Sequence, residues 1–402
     1  MDKIKNHLFR QKRKSAIPCG QPVRWIAAIL LLLSMICAGC SAKTEESPSN
    51  ITSSHNWDDM APVGSMDLLY ADQFSVEDYG DDITLITIGE SDRFLLLPEN
   101  MSAPDGLPDS ITVLQKPVKN IYLVATSAMD AFIRLNALDS IALSGTKESG
   151  WYLPEAKSAM EEGKIAYAGK YSAPDYEKIL NSSCGLAVES TMIYHTPEVK
   201  EQLERLGIPV LVERSSYENH PLGRMEWIRL YGVLTGKEEE AEAIFKQNVD
   251  SLSDVLDMVP SGKTAAFFYV TNSGSVNVRK NGDYIAKMIA LAGGTYVPEN
   301  GGSDENALST MNMDFESFYA AAKDADVLIY NSTIDGELTT TGELCAKNQL
   351  FADFKAVKDG NVWCTGKNMF QETMGLGDMI RDMNAVFTGD TEGNFTYLHQ
   401  LK

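Results

Sequence analysis

Lys237-Glu238-Glu239-Glu240-Ala241-Glu242-Ala243-Ile244-Phe245-Lys246-Gln247-Asn248-Val249-Asp250-Ser251-Leu252-Ser253-Asp254-Val255-Leu256-Asp257-Met258-Val259 reads as one uninterrupted amphipathic helix. Ile244, Phe245, Val249, Leu252, Val255, Leu256 and Val259 fall on one stripe, with Asn248, Asp250, Ser253 and Asp254 between them. Glu238, Glu239 and Glu240 occupy the first turn, where carboxylates complement the helix dipole, and Pro260 with Gly262 ends the element. At about 1.5 Å per residue such a helix is roughly 34 Å long, the width of a small domain. Chain of α/β character lies on either side of it, so it is expected to be a strut between two lobes.

Ahead of it, Ile121–Val124, Ile141–Leu143, Leu186–Val188 and Ile208–Val212 are strand candidates. They alternate with helix candidates at 128–136, 155–161, 174–180 and 196–206, and a further helix, 220–234, leads through Thr235-Gly236 into the strut. Thr196 at the N-cap, Pro197 at N1 and Gly207 after the end mark one of these helices. Behind the strut the alternation restarts: strands at 264–271, 327–330 and 361–365, helices at 283–292, 314–323, 350–357 and 376–387. Strands alternating with helices argue for mostly parallel sheets covered by helices. The expected fold is therefore α/β, with two Rossmann-like lobes of mostly parallel sheet joined by a single long helix, and a ligand cleft between them.

The 402 residues suffice for two cores. Residues 1–39 belong to neither. Seven Lys and Arg between Lys3 and Arg24 precede the apolar run Trp25–Ala38, too short for a membrane span and suited to a secretory signal. The run ends Ala38-Gly39-Cys40, which resembles the bacterial lipoprotein box, with Cys40 as the lipidated mature N-terminus; ordinary cleavage and an uncleaved anchor are the other readings. Cys37 stands where the box usually has Leu. Residues 40–66, rich in Ser, Thr, Glu, Pro and Asn at their start, read as a flexible tether. The N-terminal lobe is expected at 67–220, connecting helices at 221–260 with the strut at 237–259, and the C-terminal lobe at 261–402. Strand candidates 68–74, 83–88 and 93–97 suggest a small antiparallel meander over 67–97.

The formal net charge is −21, and −27 once residues 1–39 are removed, which excludes nucleic acid as a partner. Any anionic ligand must then be met by locally placed Arg or Lys. Cys184, Cys345 and Cys364 are spaced too unevenly for a zinc site and are odd in number, so free buried thiols are expected. His55, His195, His220 and His399 do not make the cage that a receptor for a bare zinc or manganese ion needs. An exported hydrolase is disfavoured by the lack of a Gly-x-Ser-x-Gly elbow, a His-Glu-x-x-His helix or a phosphate-cradling Gly loop.

A short pattern recurs once in each half. Asp175-Tyr176-Glu177-Lys178-Ile179-Leu180 precedes one strand candidate, and Asp314-Phe315-Glu316-Ser317-Phe318-Tyr319 precedes another. With Val124-Ala125-Thr126-Ser127, Leu206-Gly207-Ile208-Pro209-Val210, Tyr231-Gly232-Val233-Leu234-Thr235-Gly236-Lys237-Glu238-Glu239-Glu240-Ala241 and Ala290-Leu291-Ala292-Gly293-Gly294, it makes the chain resemble a known family over about residues 111–402. That family is the substrate-binding lipoproteins of ABC importers for ferric siderophores, haem and cobalamin. The resemblance implies no catalysis and no resident cofactor. It implies a monomer tethered to the membrane by its lipid, a metal complex or corrinoid as ligand, and a permease dimer as partner. It also implies that Glu177 and Glu316 pair with arginines of that permease, where charge pairing steers and registers docking. The 67–97 meander departs from the family pattern.

In α/β lobes ligands bind at the carboxyl ends of the strands. The loops so nominated carry Ser127, Met129, Tyr171, Tyr194, His195, Arg214 and Tyr217 from the first lobe. Asn272, Ser273, Arg279 with Lys280, Asn331 with Ser332, and Lys367 come from the second. Tyrosines and arginines suit a flat or aromatic ligand carrying carboxylates. His195 and Met129 are of types that ligate haem iron.

Overall fold

The computed structural model describes residues 55–299 and 310–402; the signal segment and Cys40 lie outside them. The first sheet is formed by β1 (Gly64–Ser65), β2 (Phe74–Asp78), β3 (Thr84–Ile88), β4 (Asp92–Pro98) and β5 (Ile111–Lys116). Pairing is antiparallel from β1 to β4, as the meander reading expects, but β5 adds in parallel to β4. Residues 68–73 are not strand. The part of the expected tether that is described, residues 55–66, is docked: Trp57 donates its N–H to the Asp105 carbonyl and stacks on Tyr79, and Gly64–Ser65 pairs with β2. Alternation sends Ile83, Leu85, Leu95, Leu97 and Ile111 to a face covered by Trp57, Met60 and Met101. The opposite face, with Phe74, Val76, Ile86, Ile88, Phe94 and Leu96, joins the main core. The meander is thus built into the body.

The next sheet is parallel throughout and has the order β12-β11-β6-β7-β8. Its strands are β6 (Ile121–Leu123), β7 (Ile141–Ser144), β8 (Ala166–Tyr167), β11 (Leu186–Ser190) and β12 (Val210–Glu213). Between β8 and β11 a small hairpin, β9 (Gly169–Lys170) with β10 (Ala173–Pro174), intervenes. Its helices are α1 (Met129–Arg134), α2 (Pro154–Glu161), α3 (Tyr176–Asn181) and α4 (Pro197–Arg205). Thr196 holds the N-cap position of α4 but its hydroxyl caps nothing.

Three helices follow: α5 (Pro221–Thr235), α6 (Glu238–Ser251) and α7 (Ser253–Leu256). His220 starts α5: its Nδ1 accepts the Leu222 N–H at 3.2 Å, a bond that needs the neutral ring, and burial with nearby Lys287 lowers its pKa. Gly236, at φ 69°, supplies the left-handed residue that ends the helix. The expected uninterrupted strut is broken at Leu252. Asn248, Ser251 and Ser253 bond back to the carbonyls of Ile244, Asn248 and Asp250, in competition with the helical ladder. Leu252 itself takes the tighter bond to Val249. Phe245, Leu252 and Val255 are buried as the stripe predicts, as is Ala241, while Val259 is 87% exposed beyond the helical part. The helix enclosed on all sides is α5, every residue of which except Arg229 is buried.

The last sheet has the order β16-β14-β13-β17-β18-β19, with β15 also paired to β13. It comprises β13 (Thr264–Val270), β14 (Val276–Arg279), β15 (Thr295–Val297), β16 (Thr310–Met313), β17 (Val327–Tyr330), β18 (Val362–Thr365) and β19 (Leu398–Gln400). Strands β13, β15, β17 and β18 are parallel, and β14, β16 and β19 join by antiparallel pairing. The helices are α8 (Tyr284–Leu291), α9 (Phe315–Ala322), α10 (Ser332–Asp335), α11 (Thr341–Lys347), α12 (Lys355–Lys358) and α13 (Leu376–Thr388). The expected helix 350–357 is instead a 3-10 turn, Gln349–Asp353, followed by the short α12. Helix α5 packs on α1 of the first lobe and on α8 and α13 of the second.

Candidate functional site

The loops that leave the carboxyl ends of the parallel strands in the two lobes meet, and hydrogen bonds between them fix this arrangement. From the segment after β18, the Gln371 amide accepts the Tyr152 N–H and donates to the Gly150 carbonyl, both at 2.8 Å. The Thr373 hydroxyl donates to the Ser127 carbonyl at 2.8 Å, and the Met374 N–H to Asp130 Oδ2 at 2.9 Å. Burial pushes the Asp130 carboxyl up, while Arg134 and the Met374 N–H pull it down.

Of the residues nominated from sequence, Arg214, Tyr194 and Tyr217 come together. Arg214 follows β12; its Nη1 donates to the Tyr194 hydroxyl at 3.3 Å, and its guanidinium lies 4.7 Å from the centre of the Tyr217 ring. Tyr194 is 45% exposed and is thus available to a ligand as a stacking surface. Ser127 is tied to Glu213, its hydroxyl donating to Oε2 at 3.0 Å. Arg279, at the end of β14, lies 3.5 Å from Asp283 and over the rings of Phe267 and Phe370.

Others lie elsewhere. Met129 is fully buried in the main core, so its thioether packs against apolar neighbours and cannot ligate iron. Asn331 is buried and caps α10 by accepting the Thr333 N–H. Tyr171 sits in the β9–β10 turn against the core of the first lobe. His195 is exposed at the end of the 3-10 turn Thr191–His195. Asn272 and Ser273 form the exposed turn between β13 and β14, where Ser273 shares hydrogen bonds with Thr271 and Ser275. Lys367 opens a 3-10 turn and bonds Glu337 through its backbone.

Sequence reasoning passed over Arg224. This residue is 8% exposed, its guanidinium lies 4.1 Å from the centre of the Tyr284 ring, and its Nε has no partner among the described residues. Burial pushes the neighbouring Asp283 carboxyl up; Arg279 and Arg224 pull it down. An arginine in a segment as rich in large apolar residues as Leu222–Leu234 is itself a signal, because a buried charge demands compensation. Arg224, Ser215, Tyr231, Glu213, Ser127 and Thr373 line one enclosed space at the junction of both lobes with α5.

Glu177 and Glu316 are both exposed and both stand second in their helices, α3 and α9. Asp175 caps the first by accepting the Lys178 N–H at 3.1 Å, and Asp314 the second by accepting the Ser317 N–H at 2.8 Å. Helix α3 starts beyond the carboxyl end of β8. Helix α9 starts beyond that of β16, which two antiparallel pairings make parallel to β13. Each glutamate therefore stands on the cleft-side end of its lobe. Cys184, Cys345 and Cys364 are free, and only Cys364 is fully buried.

Two sheets whose parallel strands present their carboxyl ends to one another across a helical connection define a two-lobed ligand receptor. The chain belongs to the periplasmic binding protein family, whose sequence profile matches residues 124–369. Members of that family are extracytoplasmic, substrate-binding components of ABC transporters rather than enzymes. The chain is 26% identical over 380 residues to an uncharacterised lipoprotein of Methanocaldococcus jannaschii, a match covering 86% of this chain and 88% of that protein. Among solved structures it is similar to a periplasmic haem-binding protein of Pseudomonas aeruginosa, with a TM-score of 0.53 and 15% identity over 71% of this chain and 98% of that one. It is also similar to a protein of an Fe3+-hydroxamate transport system from Saccharomonospora viridis, with a TM-score of 0.52 and 19% identity over 67% and 93% of the two chains. At these identities the structural likenesses speak for the fold.

Proposed function

We propose that this chain is the substrate-binding lipoprotein of an ABC importer, anchored through Cys40, that captures an iron complex, either a ferric siderophore or haem, or a corrinoid, and delivers it to a permease dimer. The observation that carries the ligand class is the group of Arg214, Tyr194 and Tyr217 at the cleft in a chain of net charge −21. A cation held among aromatic rings in so acidic a protein favours an anionic, partly aromatic ligand. The names of the two similar structures, one binding haem and one belonging to Fe3+-hydroxamate transport, agree with that class. Glu177 and Glu316 are the proposed docking carboxylates.

The test pairs transport with binding. In cells carrying Glu177→Arg and Glu316→Arg together, accumulation of the radiolabelled ferric complex should fall at least about tenfold, because each change replaces attraction by repulsion at the docking face. The purified variant should bind that complex as the unaltered chain does. Undiminished uptake would remove the docking assignment, and lost binding would show that the substitutions act on the lobes themselves.

A further inference from the structure

The N-terminal sheet reaches the cleft through residues 67–73, which lie along α5 on two buried carboxylates. Glu226, fully buried, accepts the N–H groups of Leu69, Tyr70 and Ala71 at 2.8–2.9 Å and the Arg229 guanidinium at 2.8 Å. Glu218, equally buried, accepts those of Asp72 at 2.9 Å and Gln73 at 3.1 Å, and the Trp227 indole N–H at 2.8 Å. Five consecutive backbone donors are thereby fixed. The strap passes so close to α5 that a Cβ on Gly223 would meet the Tyr70 carbonyl at 2.8 Å. Tyr70 also stacks on His220 at 4.8 Å.

At the end of this strap the Gln73 amide oxygen accepts from Arg214 Nε at 3.1 Å and Nη2 at 2.9 Å. The turn between β3 and β4 closes the same side. Gly89, at φ +59°, donates its N–H to the Gln73 carbonyl, and a Cβ there would stand 3.3 Å from Arg214 Nε. A guanidinium has five N–H groups. Among the described residues Gln73 takes two, the Nε–H and one on Nη2, and Tyr194 one on Nη1, which leaves one on each terminal nitrogen, and a carboxylate can accept two such N–H groups in bidentate fashion.

We propose that the N-terminal sheet is a wall of the ligand site, in which Gln73 and Gly89 act as positioning residues that hold Arg214 side-on so that its free terminal N–H pair receives a carboxylate of the ligand. This rests on the receptor reading above and adds the carboxylate, its receiving residue and the reason for the added sheet. Gln73 is a better holder than an acid would be, because it fixes the guanidinium without neutralising it.

The experiment measures the rate at which phenylglyoxal, an arginine-selective dicarbonyl, modifies Arg214 in the full-length chain in detergent, read by mass spectrometry of the peptide. The unaltered protein, Gln73→Ala and Gln73→Glu are each tested alone and with citrate or haemin as carboxylate probes. Loss of Gln73 should raise the Arg214 rate by about tenfold, the effect of removing hydrogen bonds to a charged group. Gln73→Glu should keep the slow rate, because its carboxylate still accepts side-on. A probe should slow the reaction in the unaltered chain and fail to do so in Gln73→Glu, where the charge is cancelled. An Arg214 rate indifferent to Gln73→Ala, in a variant melting at the same temperature, overturns the positioning role whatever the ligand proves to be. A rate that responds to Gln73 but that neither probe slows overturns the carboxylate assignment, while the receptor reading is decided separately by uptake.

Discussion

Glu189, near the end of β11, is fully buried and neither carboxyl oxygen has a partner among the described residues. Burial alone pushes its pKa from 4.5 up to about 8, so near neutrality the folded chain holds a proton there. The unfolded chain releases that proton near the ordinary value. Between about pH 4.5 and 8 the folded state therefore binds more protons, and stability falls as pH rises, by at most about 1.4 kcal/mol per pH unit. Glu189→Gln is neutral at every pH and should melt with the unaltered protein near pH 5 but above it at pH 8. Parallel melting curves across that range would show that the carboxyl ionises freely in the fold. Their place after parallel strands made Arg214, Tyr194 and Tyr217 legible as loop candidates, but not the fact that these three of the nominated residues would meet. The same criterion misplaced Met129 and Asn331 for a physical reason: the first residues after a strand serve to pack or cap the next helix as readily as they serve a ligand.

At the scale of elements, the alternation of strands and helices was legible because hydrophobic period and caps are local. The strut was misjudged because an amphipathic stripe marks a helix with one side in water, whereas the helix between the lobes is α5, buried around nearly its whole circumference, Arg224 and Glu226 included. Strands β14, β16 and β19 were missed: they are three or four residues long, and β16 and β19 pair with strands more than thirty residues away, while β14 is the short return arm of a hairpin with β13. The strap on α5 was equally hidden, since Glu226 and Leu69 are 157 positions apart. Its energetic weight is testable. Glu226→Ala leaves three backbone donors and Arg229 without their acceptor, which should cost about 3–5 kcal/mol in a denaturant titration. A loss below about 1 kcal/mol, within the range of an ordinary surface change, would mean that the strap binds α5 weakly.

At the scale of the molecule, the lobes share one hydrophobic core that runs from Phe74 through α5 to Leu398. Side-chain bonds from Gln371, Thr373 and Asp130 cross between them. A hinge that opened widely would expose this core and break those bonds together. Scattering with and without ligand should therefore give radii of gyration that agree to within about 1 Å, unlike receptors that close around a ligand by hinge motion. A shift of several ångströms would point to lobes that move as separate bodies. Ligand identity was not legible in the sequence, because it depends on which loop residues converge. The decisive measurement is a fluorescence titration of the purified chain with haemin, several ferric siderophores, cobalamin and bare Zn2+ or Mn2+. The account predicts saturable binding of one metal complex at one site, weakened at least about tenfold by Arg214→Gln through loss of a charge-assisted pair. No binding of any complex, with saturable binding of a bare divalent ion instead, would contradict it.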